Sequence, residues 1–190
     1  KDGANVDKLL VCPNGAQHRD YHFTEKPLKP SWTLYLGRIE PRKRQYLYQD
    51  IYGVEFVGKY TDTTSFDRNR DCYLGQWEHE YKLQHVTDYG NMMLLSDGEN
   101  GTPLVIKEAL VAGLGVVVSK YAAHDLDTSL PFVTVIPDDK WEDIEYVQEK
   151  LIENRKISVT MRKEIRQYGV DNFSWQKLVK TYVENIEGMK

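Results

Sequence analysis

Two hydrophobic patterns alternate along the chain. Short runs in which nearly every position is apolar occur at Ser31–Gly37 (SWTLYLG), Val54–Gly58 (VEFVG), Cys72–Gln76 (CYLGQ), Met92–Leu95 (MMLL), Val116–Val118 and Phe132–Ile136 (FVTVI). Unbroken apolar runs of this length suit strands covered on both faces. Asp7–Gly15 (DKLLVCPNG) reads as one more short strand, ending at a Pro-Asn-Gly turn. Between these runs apolar residues recur at three- and four-residue spacing. Pro41 opens a helix carrying Lys43, Tyr46, Leu47 and Ile51, and Glu78–Thr87 reads as a short amphipathic helix. Three more helices are expected near Trp141–Asn154, Ser158–Gly169 and Ser174–Glu187, with Ile144, Val147, Leu151 and Ile152 marking the face of the first and Ser174 an apt N-cap for the last. Alternating strands and helices predict an α/β fold: a three-layer, Rossmann-like domain with a parallel sheet of about six strands and closing C-terminal helices.

The centre of the pattern is Asp97–Gly115 (DGENGTPLVIKEALVAGLG). An acidic, glycine-containing loop meets Thr102-Pro103, and a helix follows at once. Thr102 is the expected N-cap and Pro103 suits the first turn, where a missing N–H costs nothing. Leu104, Ile106, Ala109, Leu110 and Ala112 make the helix mostly apolar, and Gly113 is placed to end it. The unit reads as strand, loop, buried helix, strand. Its loop puts the positive end of a helix at the carboxyl edge of the sheet, where anionic ligands bind.

Composition narrows the classes. The 190 residues carry a net charge of −4, which gives no broad electrostatic basis for holding nucleic acid or anionic membrane. No apolar run approaches the ~20 residues that span a bilayer, and no secretory h-region opens the chain. Cys12 and Cys72 form no metal-ligand spacing, so reducing cytoplasm is the simplest compartment. His18 and His22 lack a third ligand and read as loop residues, as does His124. The triplet Asp125-Leu126-Asp127 has the form of a metal-binding Asp-x-Asp but stands in a polar loop after a strand, so no metal site is expected. A chain opening on Lys1 is expected to be part of a longer protein.

Five elements, in order, resemble one family. They are Asn14-Gly15; Gly37-Arg38-Ile39-Glu40-Pro41-Arg42-Lys43; the strand end Gly75-Gln76-Trp77; Asn100-Gly101-Thr102-Pro103 with Glu108 eight positions after Asn100; and Phe173-Ser174-Trp175. Together they are similar to the carboxy-terminal, donor-binding half of retaining glycosyltransferases of the GT-B fold (glycosyl transferases group 1, family-4-like). The match to the Glu-x7-Glu signature is incomplete: Asn100 replaces the first Glu, with Glu99 one place out of register.

The resemblance implies residues 1–30 as an interdomain segment and loop and 31–190 as the nucleotide-sugar-binding domain, with the acceptor-binding half absent. It implies that Arg38 and Lys43, beside Gly37, hold the diphosphate and stabilise the leaving group, as fixed cations would. Glu108 would take the ribose hydroxyls, and Asn100 with Glu99 would meet the sugar. Gly101, Thr102 and Pro103 would add the helix end, and Gln76 and Trp77 would pass the base. The substrate is a UDP- or GDP-linked sugar, with no cofactor and no metal expected. The acceptor, a glycan or a protein, would be reached through the other half, and the isolated chain is expected to have little or no transfer activity. Two other readings stay open at this point: a scaffold that binds nucleotide sugar without transfer, and a nucleotide-sugar epimerase of the same fold.

Overall fold

The computed structural model describes residues 13–61 and 65–188. Five strands form one sheet: β1 Lys29–Leu36, β2 Val54–Val57, β3 Tyr89–Leu94, β4 Gly115–Ser119 and β5 Val133–Ile136. They lie in the order β2-β1-β3-β4-β5, and every neighbouring pair is parallel. The helices are α1 His79–His85, α2 Leu104–Val111, α3 Ile144–Thr160, α4 Arg162–Phe173 and α5 Trp175–Gly188. The expected α/β domain is present, with strands buried along their whole length at β2, β3 and β4.

The strand order sets the site. The chain leaves β1 for β2 on one side, then crosses back to place β3 on the other side of β1. Right-handed crossovers on a sheet wound in both directions put helices on both faces. The reversal of direction between β1 and β3 also places a crevice at the carboxyl ends of these two strands.

One face is closed by α2, whose Ile106, Ala109 and Leu110 are fully buried; a buried Leu or Ile contributes about 1.5–3 kcal/mol. Gly169 of α4 lets two backbones meet, since a Cβ there would lie 2.6 Å from the Leu110 carbonyl carbon. The helix α3 packs across β1, β3 and β4. Its Asn154 is fully buried and donates to the carbonyls of Val116 and Phe132 at 3.2 and 3.1 Å, while its Oδ1 accepts from Asn91 at 2.9 Å. Asn91 in turn accepts from Thr33 at 2.6 Å. This satisfied polar chain ties β1, β3, β4 and α3 at their shared end.

Several expectations need correction. Cys72–Gln76 is not one of the named sheet strands: it runs parallel beside β2 through an isolated bridge, Phe56 to Tyr73, with backbone hydrogen bonds Phe56 N–H to Cys72, Leu74 N–H to Phe56 and Gly58 N–H to Gly75, and leaves the edge after Gly75, which has a φ of 73°. The helix expected from Pro41 is two short 3-10 turns, Pro41–Lys43 and Gln45–Tyr48, separated by Arg44 in the left-handed region at φ 55°. The Arg44 N–H donates to the Pro41 carbonyl, and its guanidinium carbon lies 3.9 Å from the centre of the Trp141 ring. Thr102 does not cap α2; Pro103 takes the N-cap position, and Thr102 Oγ1 accepts the Asp125 N–H at 2.9 Å. The expected strand over Asp7–Gly15 falls at 7–12 outside the described residues, and 13–15 carry no strand.

Other expected details are present. Gly113 ends α2 with a φ of 84°, and Ser174 Oγ accepts the Lys177 N–H at 3.3 Å at the start of α5.

Candidate functional site

The loops leaving β1 and β3 meet. Tyr35, fully buried in β1, donates its hydroxyl to the Lys43 carbonyl and accepts the Leu95 N–H at 3.1 Å, so both loops hang on one side chain. Asp97 N–H reaches the Arg42 carbonyl at 2.9 Å. Gly58, at the end of β2, lets that turn lie against the start of the loop leaving β1: a Cβ there would lie 1.9 Å from the Gly37 carbonyl oxygen. Gly58 was not singled out in the sequence, although a glycine closing an apolar run is the signal for such an approach.

This contact brings cations and a carboxylate together. Lys43 Nζ and Arg42 Nη1 each lie 3.1 Å from Glu99 Oε1. Glu40 adds a second carboxylate, 2.8 Å from Arg42 Nε and 3.8 Å from Lys43 Nζ. Burial pushes the Glu99 carboxyl up, but the hydrogen bond and charge of Lys43, with Ser96 and Arg42, outweigh it and hold Glu99 below the usual carboxylate range. Glu99 thus stands against Lys43 and Arg42 as an ionised oxyanion.

A cavity of about 610 Å³ adjoins the pair, lined by Arg42, the loop from Gly98 to Leu104, Lys107, His124 and Asp125, with Pro13 and Asn14 at its rim. Lys107 was missed in the sequence. Its side chain is only 3% exposed, and its ammonium donates to the Asn14 carbonyl and to Asp125, both at 3.1 Å. The one sequence signal was a lysine inside the apolar run of α2. Burial raises the Asp125 carboxyl, and the Lys107 hydrogen bond and charge, with His124 and the Thr102 backbone, outweigh it and hold Asp125 low. A second ionised carboxylate therefore stands beside the start of α2. Both features that attract anions, the cation pair and the helix end, face carboxylates of the chain itself.

The structure gathers Lys43, Glu99, Asn100, Gly101, Thr102 and Pro103 around this crevice, with Gly37 beside Lys43. Arg38 stands apart: its side chain is 63% exposed and its nearest charge is Glu40 at 3.7 Å. Glu108 lies behind Lys107, with Oε1 accepting from Lys82 of α1 at 2.8 Å. Its Oε2 is buried without a hydrogen-bond partner among the described residues. Gln76 and Trp77 line a different cleft, with the first residues of β1 and β3, at the amino edge of the sheet. Asp125 and Asp127 have separate partners: Asp125 pairs with Lys107 and Asp127 with Ser129. Among the described residues no three His, Cys, Asp or Glu side chains are grouped to hold a metal.

This architecture has solved relatives in shape. The chain carries one Rossmann-like half of a GT-B fold. HepE (Alr3699) of Anabaena, solved with UDP-glucose, superposes with a TM-score of 0.69 at 15% identity, over 98% of this chain and 59% of that one. Sucrose-phosphate synthase from Thermosynechococcus elongatus gives 0.67 at 16%, over 94% and 52%. The lipopolysaccharide outer core galactosyltransferase WaaB gives 0.67 at 17%, over 99% and 58%. The chain thus spans between 52% and 59% of the length of these three. No protein-family model and no curated protein matches the sequence. No helix among the described residues is long and apolar enough to cross a membrane.

Proposed function

We propose that this chain is the donor-binding domain of a glycosyltransferase that moves a sugar from a nucleoside-diphosphate sugar to an acceptor. The observation that carries this reading is the Lys43–Glu99–Arg42 cluster at the switch-point crevice. It is a built oxyanion seat on the fold of proteins solved with UDP-glucose and with UDP. The diphosphate displaces Glu99 from the cation pair and takes the start of α2, where the loop from Gly101 to Pro103 turns into the helix. Arg38, exposed beside the same turn, swings onto the outer phosphate. Fixed cations stabilise the charge that builds on the departing nucleoside diphosphate, in the role a divalent metal otherwise fills. Asn100 and Glu99 meet the sugar.

Glu108 accepts the ribose hydroxyls once its carboxylate turns from Lys82, its partner at 2.8 Å, towards the crevice. The mechanism is retaining: the acceptor attacks the face that the leaving group quits, and no side-chain nucleophile is required. The acceptor is reached through a further domain, as expected of a chain that spans little more than half of its structural relatives. A sugar-transfer assay on the full-length protein, without added metal and with Lys43→Ala as control, tests the reading; hydrolysis and transfer equal in both proteins would sink it.

The Lys82–Glu108 pair favours one competing reading, a module that binds nucleotide without transfer. Nucleotide binding with no transfer to any acceptor in the full-length protein would select it.

A further inference from the structure

A second cleft, of about 520 Å³, opens at the amino edge of the sheet. Its floor is Lys29 and Tyr89, the first residues of β1 and β3. It shares no lining residue with the crevice at the carboxyl ends of the same strands. The volume falls in the ordinary range for a small-molecule site.

Its walls alternate aromatic faces with hydrogen-bonding groups. Trp77 meets Tyr81 edge to face at 5.1 Å and lies 6.2 Å from the Tyr89 ring. Tyr81 is 50% exposed on its open side, and its other side is covered by His85 at 3.9 Å. Gln76 and Glu78, both exposed, stand between these rings and solvent.

The charges select the occupant. Lys29 is matched by Glu55, buried beneath it at 2.6 Å, and Asp88 Oδ2 is hydrogen-bonded to His85 Nδ1 at 2.8 Å. An anion would therefore find no free cation and would face Glu78. A cation would compete with the Lys29 ammonium, which already lies 5.1 Å from the Tyr89 ring centre. A purely apolar group would bury Gln76 and Glu78 without partners, at the usual cost of unpaired polar groups. A neutral ring with a C–H face and a hydroxyl rim satisfies both kinds of wall: C–H groups lie on the electron-rich aromatic face, and hydroxyls donate to carboxylate and amide oxygens.

We propose that this cleft binds a neutral saccharide, with a pyranose ring against Trp77 and Tyr81 and its hydroxyls held by Gln76, Glu78 and Asp88. The site is separate from the donor crevice and gives the domain a second grip on carbohydrate. Gln76 and Trp77, placed by sequence beside a nucleotide base, serve here a different ligand.

The test is saturation-transfer NMR, followed by titration, of the whole chain with maltotriose, cellotriose and chitotriose, and with uridine as competitor. At least one trisaccharide should receive saturation at its ring protons. Its affinity should fall by about tenfold or more in Tyr81→Ala and in Gln76→Ala; both side chains are exposed enough to leave the fold intact. Lys43→Ala, which disables the donor crevice, should leave saccharide affinity unchanged. The proposal is overturned if none of the three sugars binds, if both cleft variants bind as the wild type does, or if uridine displaces the sugar.

Discussion

Lys43 and Arg42 converge on one carboxylate oxygen of Glu99, the position that the proposed function gives to a phosphate oxygen. A hydrogen bond to a charged group contributes about 1.5–3 kcal/mol, so Lys43→Ala should weaken UDP or GDP binding by about tenfold or more in calorimetric titration. Glu99→Gln should act in the opposite direction. It removes the competing charge and should tighten binding of the free nucleoside diphosphate severalfold; weaker binding would show that Glu99 does not compete.

Glu99 also predicts an acid response. Its folded-state pKa lies below the usual value, so its contribution to stability is complete above the ordinary carboxylate pKa and is lost as pH falls through the lowered value. Urea melts between about pH 5 and pH 3 should therefore show a shallower loss of stability in Glu99→Gln than in the wild type.

Lys43 and the signature loop were legible in sequence, because charge beside a glycine turn is visible without coordinates; Arg42, which stands beside Lys43 on Glu99 where Arg38 was expected, was not. The partner of Lys107 was not. Its carboxylate lies 18 positions away in a loop whose path depends on the whole sheet. Nor did the sequence reveal that Lys82 of another helix reaches Glu108.

At the scale of elements, periodicity located each strand of the sheet to within a few residues and the long helices in their order, although α3 runs on to Thr160, past the expected end at Asn154 and the expected start of the next helix at Ser158. It failed where a backbone conformation overrides the pattern. Arg44 in the left-handed region splits one expected helix, and the turn at Gly75 takes one expected strand away from the edge of the sheet. The buried polar chain of α3 was equally hidden, because Asn154 reads as a surface residue until α3 is placed against β4. Asn154→Ala removes one donor each from the Val116 and Phe132 carbonyls, the latter keeping the Val116 N–H at 2.8 Å, and strands the Asn91 amide donor that bonded Asn154; it should destabilise the domain by about 1–3 kcal/mol in urea melts. Full stability in that variant would mean that the strands hold without this network.

The last helix stands at the other extreme. No residue of α5 is buried, and Val179, Tyr182, Val183 and Ile186 are exposed along one stripe. With so little apolar contact its backbone hydrogen bonds depend on the helix alone. Hydrogen exchange should be far faster in α5 than in α2 or β3, and equal protection would show that α5 is held by more than its first turn.

The whole molecule places its chemistry by strand order. Because β1 lies between β2 and β3, two loops that are 56 positions apart at Lys43 and Glu99 are delivered to one crevice. The α/β class, the parallel sheet and the position of this crevice were all readable from alternating elements and one acidic glycine loop. The count of five strands and the separation of Trp77 from the crevice were not, since both depend on where residues 72–78 run across the edge of the sheet.

We propose the switch-point crevice as a nucleoside-diphosphate site. Calorimetric titration of this chain with UDP and with GDP, without added metal and repeated on Lys43→Ala, tests it most directly. One nucleotide should bind the wild type with a stoichiometry of one and lose that affinity in the variant. Equal affinity in the two proteins, or no binding of either nucleotide to the wild type, would contradict the claim.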